Sequence, residues 1–140
     1  MKLIISKRKN KDMKLFSEKQ WNISDQIHYG QGKVWNQTSY YIRAIDDGKI
    51  LGLIHYTMSA GVIEVPTLIV SQENQGKGIG KSLMQKVEAV GKKNTIHKIH
   101  LITGKGWDAE GFYKALGFKQ LTVIPNHYFH RDFVIYEKTI

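Results

Sequence analysis

The chain of 140 residues is long enough for one domain with one core and too short for two. Its 41% hydrophobic and 24% charged content is that of an ordinary globular protein, and the absence of cysteine excludes disulfides, cysteine-ligated metal and a cysteine acyl intermediate. A formal charge of +9 asks for an anionic partner, nucleic acid or a phosphorylated cofactor. Lysines are scattered, with small clusters only at Lys7-Arg8-Lys9 and Lys92-Lys93, which argues against a nucleic-acid-binding stripe. The apolar run in MKLIISKRKN is too short for a signal-peptide core and no stretch is long enough to span a bilayer, so the expectation is a cytoplasmic protein without a membrane partner.

In chain order, KLIIS (2–6) reads as a first strand. Residues 12–29 mix Met13, Leu15, Phe16, Trp21, Ile23 and Ile27 with charges and predict one or two amphipathic helices, broken by GQGK at 30–33. Three strand-like runs follow at 39–45, 50–58 and 62–70, separated by the tight-turn sequences DDGK (46–49) and SAG (59–61), so an antiparallel meander is expected. Then the period changes: Ile79, Leu83, Val87 and Val90 recur at helical spacing, with Gly91 placed as a C-cap. HKIHLIT (97–103) is a strand again. Asp108 is positioned to N-cap a short helix carrying Phe112, Tyr113 and Leu116 and closed by Gly117. Runs at 118–124 and 130–138 form a final hairpin.

Between the third strand and the long helix stands QGKGIGKS (75–82). It misses the nucleotide P-loop by one position, having Gln75 where a glycine is required, and misses the dinucleotide fingerprint because Lys81 occupies the third glycine position. The helix start still suits an anion. Its N–H groups lack intrahelical partners, Gly76, Gly78 and Gly80 admit a bulky phosphate, and Lys77 and Lys81 add positive charge.

Strand, Q-x-x-G-x-G, helix resembles the acyl-CoA pyrophosphate loop of the GNAT superfamily of N-acetyltransferases, with Gln75, Gly78 and Gly80 at its fixed positions; FYKALGF (112–118) is similar to that family's second landmark. The resemblance implies one domain over 1–140 of mixed α/β (α+β) class, with a mostly antiparallel central sheet flanked by helices. It implies acetyl transfer from acetyl-CoA to a primary amine in a ternary complex, with no metal, by a monomer or a homodimer. On the same resemblance the cosubstrate is held by the backbone of Leu68, Ile69 and Val70 and by Gln75, Gly76, Lys77, Gly78, Ile79, Gly80, Lys81 and Ser82. Glu64, eleven residues before Gln75, corresponds to a catalytic base of one branch, and Tyr113 to the acid that protonates the departing thiolate. One departure stands out: many members carry asparagine seven residues before that tyrosine, and here the position is Gly106.

Other readings stay open. The bland alternative for Glu64 is a polar residue on an exposed strand face, and for Tyr113 an aromatic that packs the helix. The histidine pairs 97/100 and 127/130 are three apart in strand or loop, which suits solvated histidine better than metal ligation. Trp21, Trp35, Tyr40 and Tyr41 are expected in the core ahead of any acceptor pocket. The rival functions are an inactive acetyl-CoA-binding module and a basic nucleic-acid-binding protein. The acceptor amine is not legible.

Overall fold

The structure is a computed structural model and describes residues 1–32 and 35–140. The chain divides into two units, Met1–Asn36 and Gln37–Ile140. The described residues of the first contain one helix, α1 (Lys11–Tyr29). The Asn10 side chain starts it by accepting from the Met13 N–H at 2.9 Å, and Gly30 stops it in the left-handed region at φ 68°, its N–H bonded to the Gln26 carbonyl. Of the breaker GQGK, Lys33 lies outside the described residues. The strand expected at 2–6 does not form, and Leu3, Ile4 and Ile5 are exposed. A strand needs a ladder partner, and the described residues of this unit offer only a helix and a turn.

The second unit holds a six-stranded sheet: β1 (Thr38–Asp46), β2 (Lys49–Ser59), β3 (Val62–Val70), β4 (Lys98–Gly104), β5 (Lys119–Ile124) and β6 (Phe133–Thr139), in the spatial order β1-β2-β3-β4-β6-β5. All neighbours are antiparallel except β3 and β4. The meander is closed by two-residue turns that need left-handed backbone at both positions, Asp47-Gly48 and Ala60-Gly61. In β3 an extra residue at Val65-Pro66 shifts the register against β2, a bulge that also accommodates a proline with no N–H to donate.

Helix α2 (Ile79–Lys93) joins β3 to β4, and α3 (Asp108–Ala115) follows β4. Alternate residues of four strands (Ile54, Tyr56, Ile63, Val65, Ile99, Leu101, Val134, Tyr136) form one buried face with Leu83, Met84 and Val87 of α2 and with Tyr113. Burying each such aliphatic side chain contributes about 1.5–3 kcal/mol. Gly91 is not the expected C-cap: α2 runs on to Lys93 with Asn94 as its cap, and Gly91 is buried inside it. A Cβ there would lie 2.8 Å from Ile140 Cδ1 and 3.1 Å from Ile63 Cδ1, so the glycine permits close packing.

Candidate functional site

The strand-to-helix junction after β3 is built from its glycines. After the 3-10 turn 72–74, Gly76 (φ 75°) and Gly78 (φ 83°) both take left-handed backbone, with open space where a Cβ would stand. Gly78 is the N-cap of α2, and the first helical bond runs from Ser82 N–H to the Gly78 carbonyl. The N–H groups of Ile79, Gly80 and Lys81 therefore precede the helical ladder. No acidic residue occupies this first turn. Gly80 has a different reason: its Cβ would meet Phe112 Cζ of α3 at 3.2 Å, so a side chain here would push the two helices apart. Around the loop, Gln75 Nε2 donates to the Val70 carbonyl, Lys77 Nζ to Asn74 Oδ1 and Ser82 Oγ to the Gly78 carbonyl. These bonds fix the turn and leave Lys81 with the open N–H groups.

The strand leading into the loop has one bare edge. Parallel pairing of β3 with β4 covers only Val62–Lys98, Ile63–Ile99 and Glu64–His100. Beyond it, Leu68, Ile69 and Val70 keep their pairing with Ile54, Leu53 and Gly52 of β2 and, among the described residues, have no strand neighbour on the other side. The result is a slot between β3 and β4 that widens toward the glycine loop, edged by main-chain donors and acceptors. Glu64 sits at the point of divergence. It is exposed, on the face opposite the buried Ile63 and Val65, with Thr57 and His100 as cross-strand neighbours.

Tyr113 comes to the core face. Its ring packs edge-on against Phe112 (centroids 5.2 Å) and Phe118 (5.7 Å), and burial pushes its hydroxyl above the ordinary tyrosine range. Glu64 and Tyr113 thus lie on opposite faces of the sheet.

The second junction, after β4, is organised by a residue the sequence reading did not single out. Glu110, in the first turn of α3, accepts from the Gly106 N–H at 2.5 Å and from the hydroxyl of fully buried Tyr136 at 2.6 Å. The Tyr136 bond, then the Gly106 bond, hold the Glu110 carboxyl below its usual range. Burial and the bond to Glu110 push Tyr136 up to about 12. Asp108 is not the N-cap; that position is Trp107, with no side-chain cap bond, and Glu110 takes over by reaching back past it. A glutamate three residues after the cap position is the sequence signal that would have located it. Gly106, the departure noted above, is a left-handed turn at φ 81° whose N–H is already used.

None of the four aromatics expected in the core is there: Trp21, Trp35, Tyr40 and Tyr41 are all exposed. Tyr40 stacks on Tyr56 at 5.3 Å and Tyr41 on His55 at 4.6 Å, both at the outer part of the sheet. Trp21 and Trp35 have no apolar layer in their unit to enter, and Tyr40 and Tyr41 stand on the edge strand β1, where most residues are exposed. His100 lies in the sheet between Glu64 and Glu137, and His127 and His130 fall in the β5–β6 turn, where His130 Nδ1 contacts Asn126 Oδ1.

Comparison with known proteins bears on this geometry. The profile of the family described as Acetyltransferase (GNAT) family matches residues 9–118. YdhI of Bacillus subtilis is 37% identical over 82 residues, 58% of this chain and 50% of that protein, so the chain spans about half the length of this curated relative. An acetyltransferase from Bacillus cereus superposes with a TM-score of 0.75 at 19% identity, covering 98% of both chains. The paia N-acetyltransferase of Thermoplasma acidophilum, in complex with coenzyme A, gives a TM-score of 0.63 at 25% identity over 73% of this chain and 61% of that one.

Proposed function

The chain belongs to the acetyltransferase (GNAT) family, and on that premise we propose that it transfers the acetyl group of acetyl-CoA directly to a primary amine, acting as a single catalytic domain. The observation that carries the reading is the conjunction of the bare β3 edge with the acid-free N-terminus of α2. One supplies main-chain partners for an extended amide-bearing arm, the other N–H groups and Lys81 for a pyrophosphate. The chain's own residues fit such a ligand, since the space beside Gly76 and Gly78 that a Cβ would fill is open.

Acetyl-CoA supplies an acyl carbon on a thiolate leaving group; the rest falls to the protein. A lysine-type amine with pKa about 10.4 is protonated in all but about one molecule in 2,500 at pH 7. Glu64, exposed at the point where the slot begins, takes that proton directly or through a water. Backbone N–H groups along Leu68–Val70 face the oxygen on which negative charge develops as the nitrogen adds. As the carbon–sulfur bond breaks, Tyr113 gives its proton to the sulfur, and the second proton, shed by the nitrogen as it becomes an amide, returns through solvent to the tyrosine; burial keeps that hydroxyl protonated at neutral pH. Opposite faces suit these opposite tasks, amine from one side and thiolate on the other.

Calorimetric titration with acetyl-CoA, then thiol release over a panel of primary amines, tests the reading. Tight one-to-one binding with turnover is expected, with Glu64→Gln and Tyr113→Phe each lowering kcat by about 10²–10⁴-fold at unchanged acetyl-CoA affinity. Binding without turnover on every amine would leave a cosubstrate-binding module, and absence of binding would overturn the proposal.

A further inference from the structure

The sheet face that carries Glu64 has a polar row where the opposite face has its core. Register places Thr57 of β2 beside Glu64, Glu64 beside His100 of β4, His100 beside Glu137 of β6 and Glu137 beside Lys119 of β5. Residues directly opposite on neighbouring strands point to one side of the sheet, about 5 Å apart. One position along each strand, Ile63, Ile99 and Tyr136 are fully buried on the other side. His100 is half-buried, held at the sheet surface with access to water.

The two carboxylates that flank His100 differ. Glu137 is ion-paired to Lys98 Nζ at 2.6 Å, and Lys98 stands two residues from His100 on the same strand and face. Among the described residues Glu64 enters no ion pair, so it is the uncompensated carboxylate beside the imidazole. Turnover sets a proton problem that this pair answers. An ammonium acceptor that becomes an amide loses two protons, of which one ends on the CoA sulfur and one is released. The released proton is the one Glu64 takes, and Glu64 has to shed it before the next amine arrives. Imidazole is a stronger base than carboxylate and exchanges its proton with water near neutral pH. We infer that His100 is a positioning residue for Glu64: it draws the proton from the Glu64 carboxyl, restores the carboxylate and passes the proton to solvent. The amine N–H becomes Glu64 O–H, then His100 N–H, then a proton in water, each step direct or through one water. Glu137, compensated by Lys98, competes weakly for that proton. The inference rests on the acetyltransferase reading with Glu64 as base.

The test uses the full-length protein, acetyl-CoA and the primary amine of the panel that turns over fastest, with thiol release for rate and calorimetry for acetyl-CoA affinity. His100→Ala is expected to lower kcat about ten-fold or more, with KM for the amine and acetyl-CoA affinity unchanged. His100→Gln, which keeps a polar side chain of similar size, should be equally slow. Added imidazole should restore a large part of kcat to His100→Ala, whereas pyrazole, similar in shape and far weaker as a base, should not. In a Glu64→Gln background His100→Ala should cost nothing further, because the relay has no proton to carry. Unchanged kcat in both His100 variants, equal rescue by pyrazole, or additive losses in the double variant would each overturn the relay. Absence of turnover by the unaltered protein on every amine overturns the acetyltransferase reading itself, so the two failures are distinguishable.

Discussion

Two strand-to-helix junctions sit on the neighbouring parallel strands β3 and β4, and they handle the same physical problem in opposite ways. Both turn through left-handed glycines, Gly76 and Gly78 before α2 and Gly106 before α3. Both present main-chain N–H groups at a helix start, which attract negative charge. Before α3 the charge is internal: Asp108 and Glu110 occupy the first turn, and Glu110 is bonded to the Gly106 N–H. The first turn of α2 has no acid, and Lys77 and Lys81 are the charged residues nearest its start. On the proposed reading, the anion for that junction comes with the cosubstrate. A glycine turn into a helix is therefore insufficient to mark an anion site; the sign of the first-turn side chains separates the satisfied junction from the open one.

The sharpest way to break the contrast is Gly80→Leu. The leucine has to displace Phe112, which lies 3.2 Å from the Cβ position, so α2 and α3 separate beside the open N–H groups. Loss of acetyl-CoA binding by about 100-fold or more is expected in calorimetry, a change of about 2.7 kcal/mol or more. Lys81→Glu makes the first junction resemble the second by giving α2 its own first-turn acid. Acetyl-CoA affinity should fall about ten-fold or more, and the loss should shrink at high salt. Unchanged affinity would mean that the junction does not hold the pyrophosphate.

The converse change, Glu110→Gln, removes the internal anion. Denaturant unfolding should show a loss of about 1–2 kcal/mol at pH 7, since charge-assisted hydrogen bonds to Gly106 and Tyr136 are weakened. The pH dependence has a definite sign. Because the folded-state pKa of Glu110 is lowered, its stabilisation is fully present above the unfolded carboxylate value and is lost as pH falls through the folded one. The gap between wild type and Glu110→Gln should thus narrow in acid. The smallest effect is spectroscopic: of seven tyrosines, Tyr136 should ionise near pH 12, and Glu110→Gln should lower that step. Its raised pKa stabilises the fold below the ordinary tyrosine range, a contribution lost as pH rises toward 12.

Much of the second unit was legible because its signals are local. Alternation and Gly-containing turns located β1 to β3 within a residue, since a left-handed two-residue turn restricts which residues can occupy it. Helical spacing placed α2, but not its end: Gly91 looks like a stop, and only the nearness of Ile63 and Ile140 reveals it as a packing site. KLIIS was misread because strand propensity is a statement about a partner, and nothing in the segment says whether one exists.

What the sequence by itself determined is the order of elements from β1 onward, the Q-x-x-G-x-G loop with its positive side chains, and the family to which these belong. Each depends on residues adjacent in the chain. Only the tertiary structure decided that β3 and β4 part after Glu64, that Gly80 faces Phe112 and that Glu110 reaches Tyr136. Those are contacts between segments distant in the chain, and their geometry is set by how side-chain volumes and backbone hydrogen bonds are satisfied together, which no local pattern records.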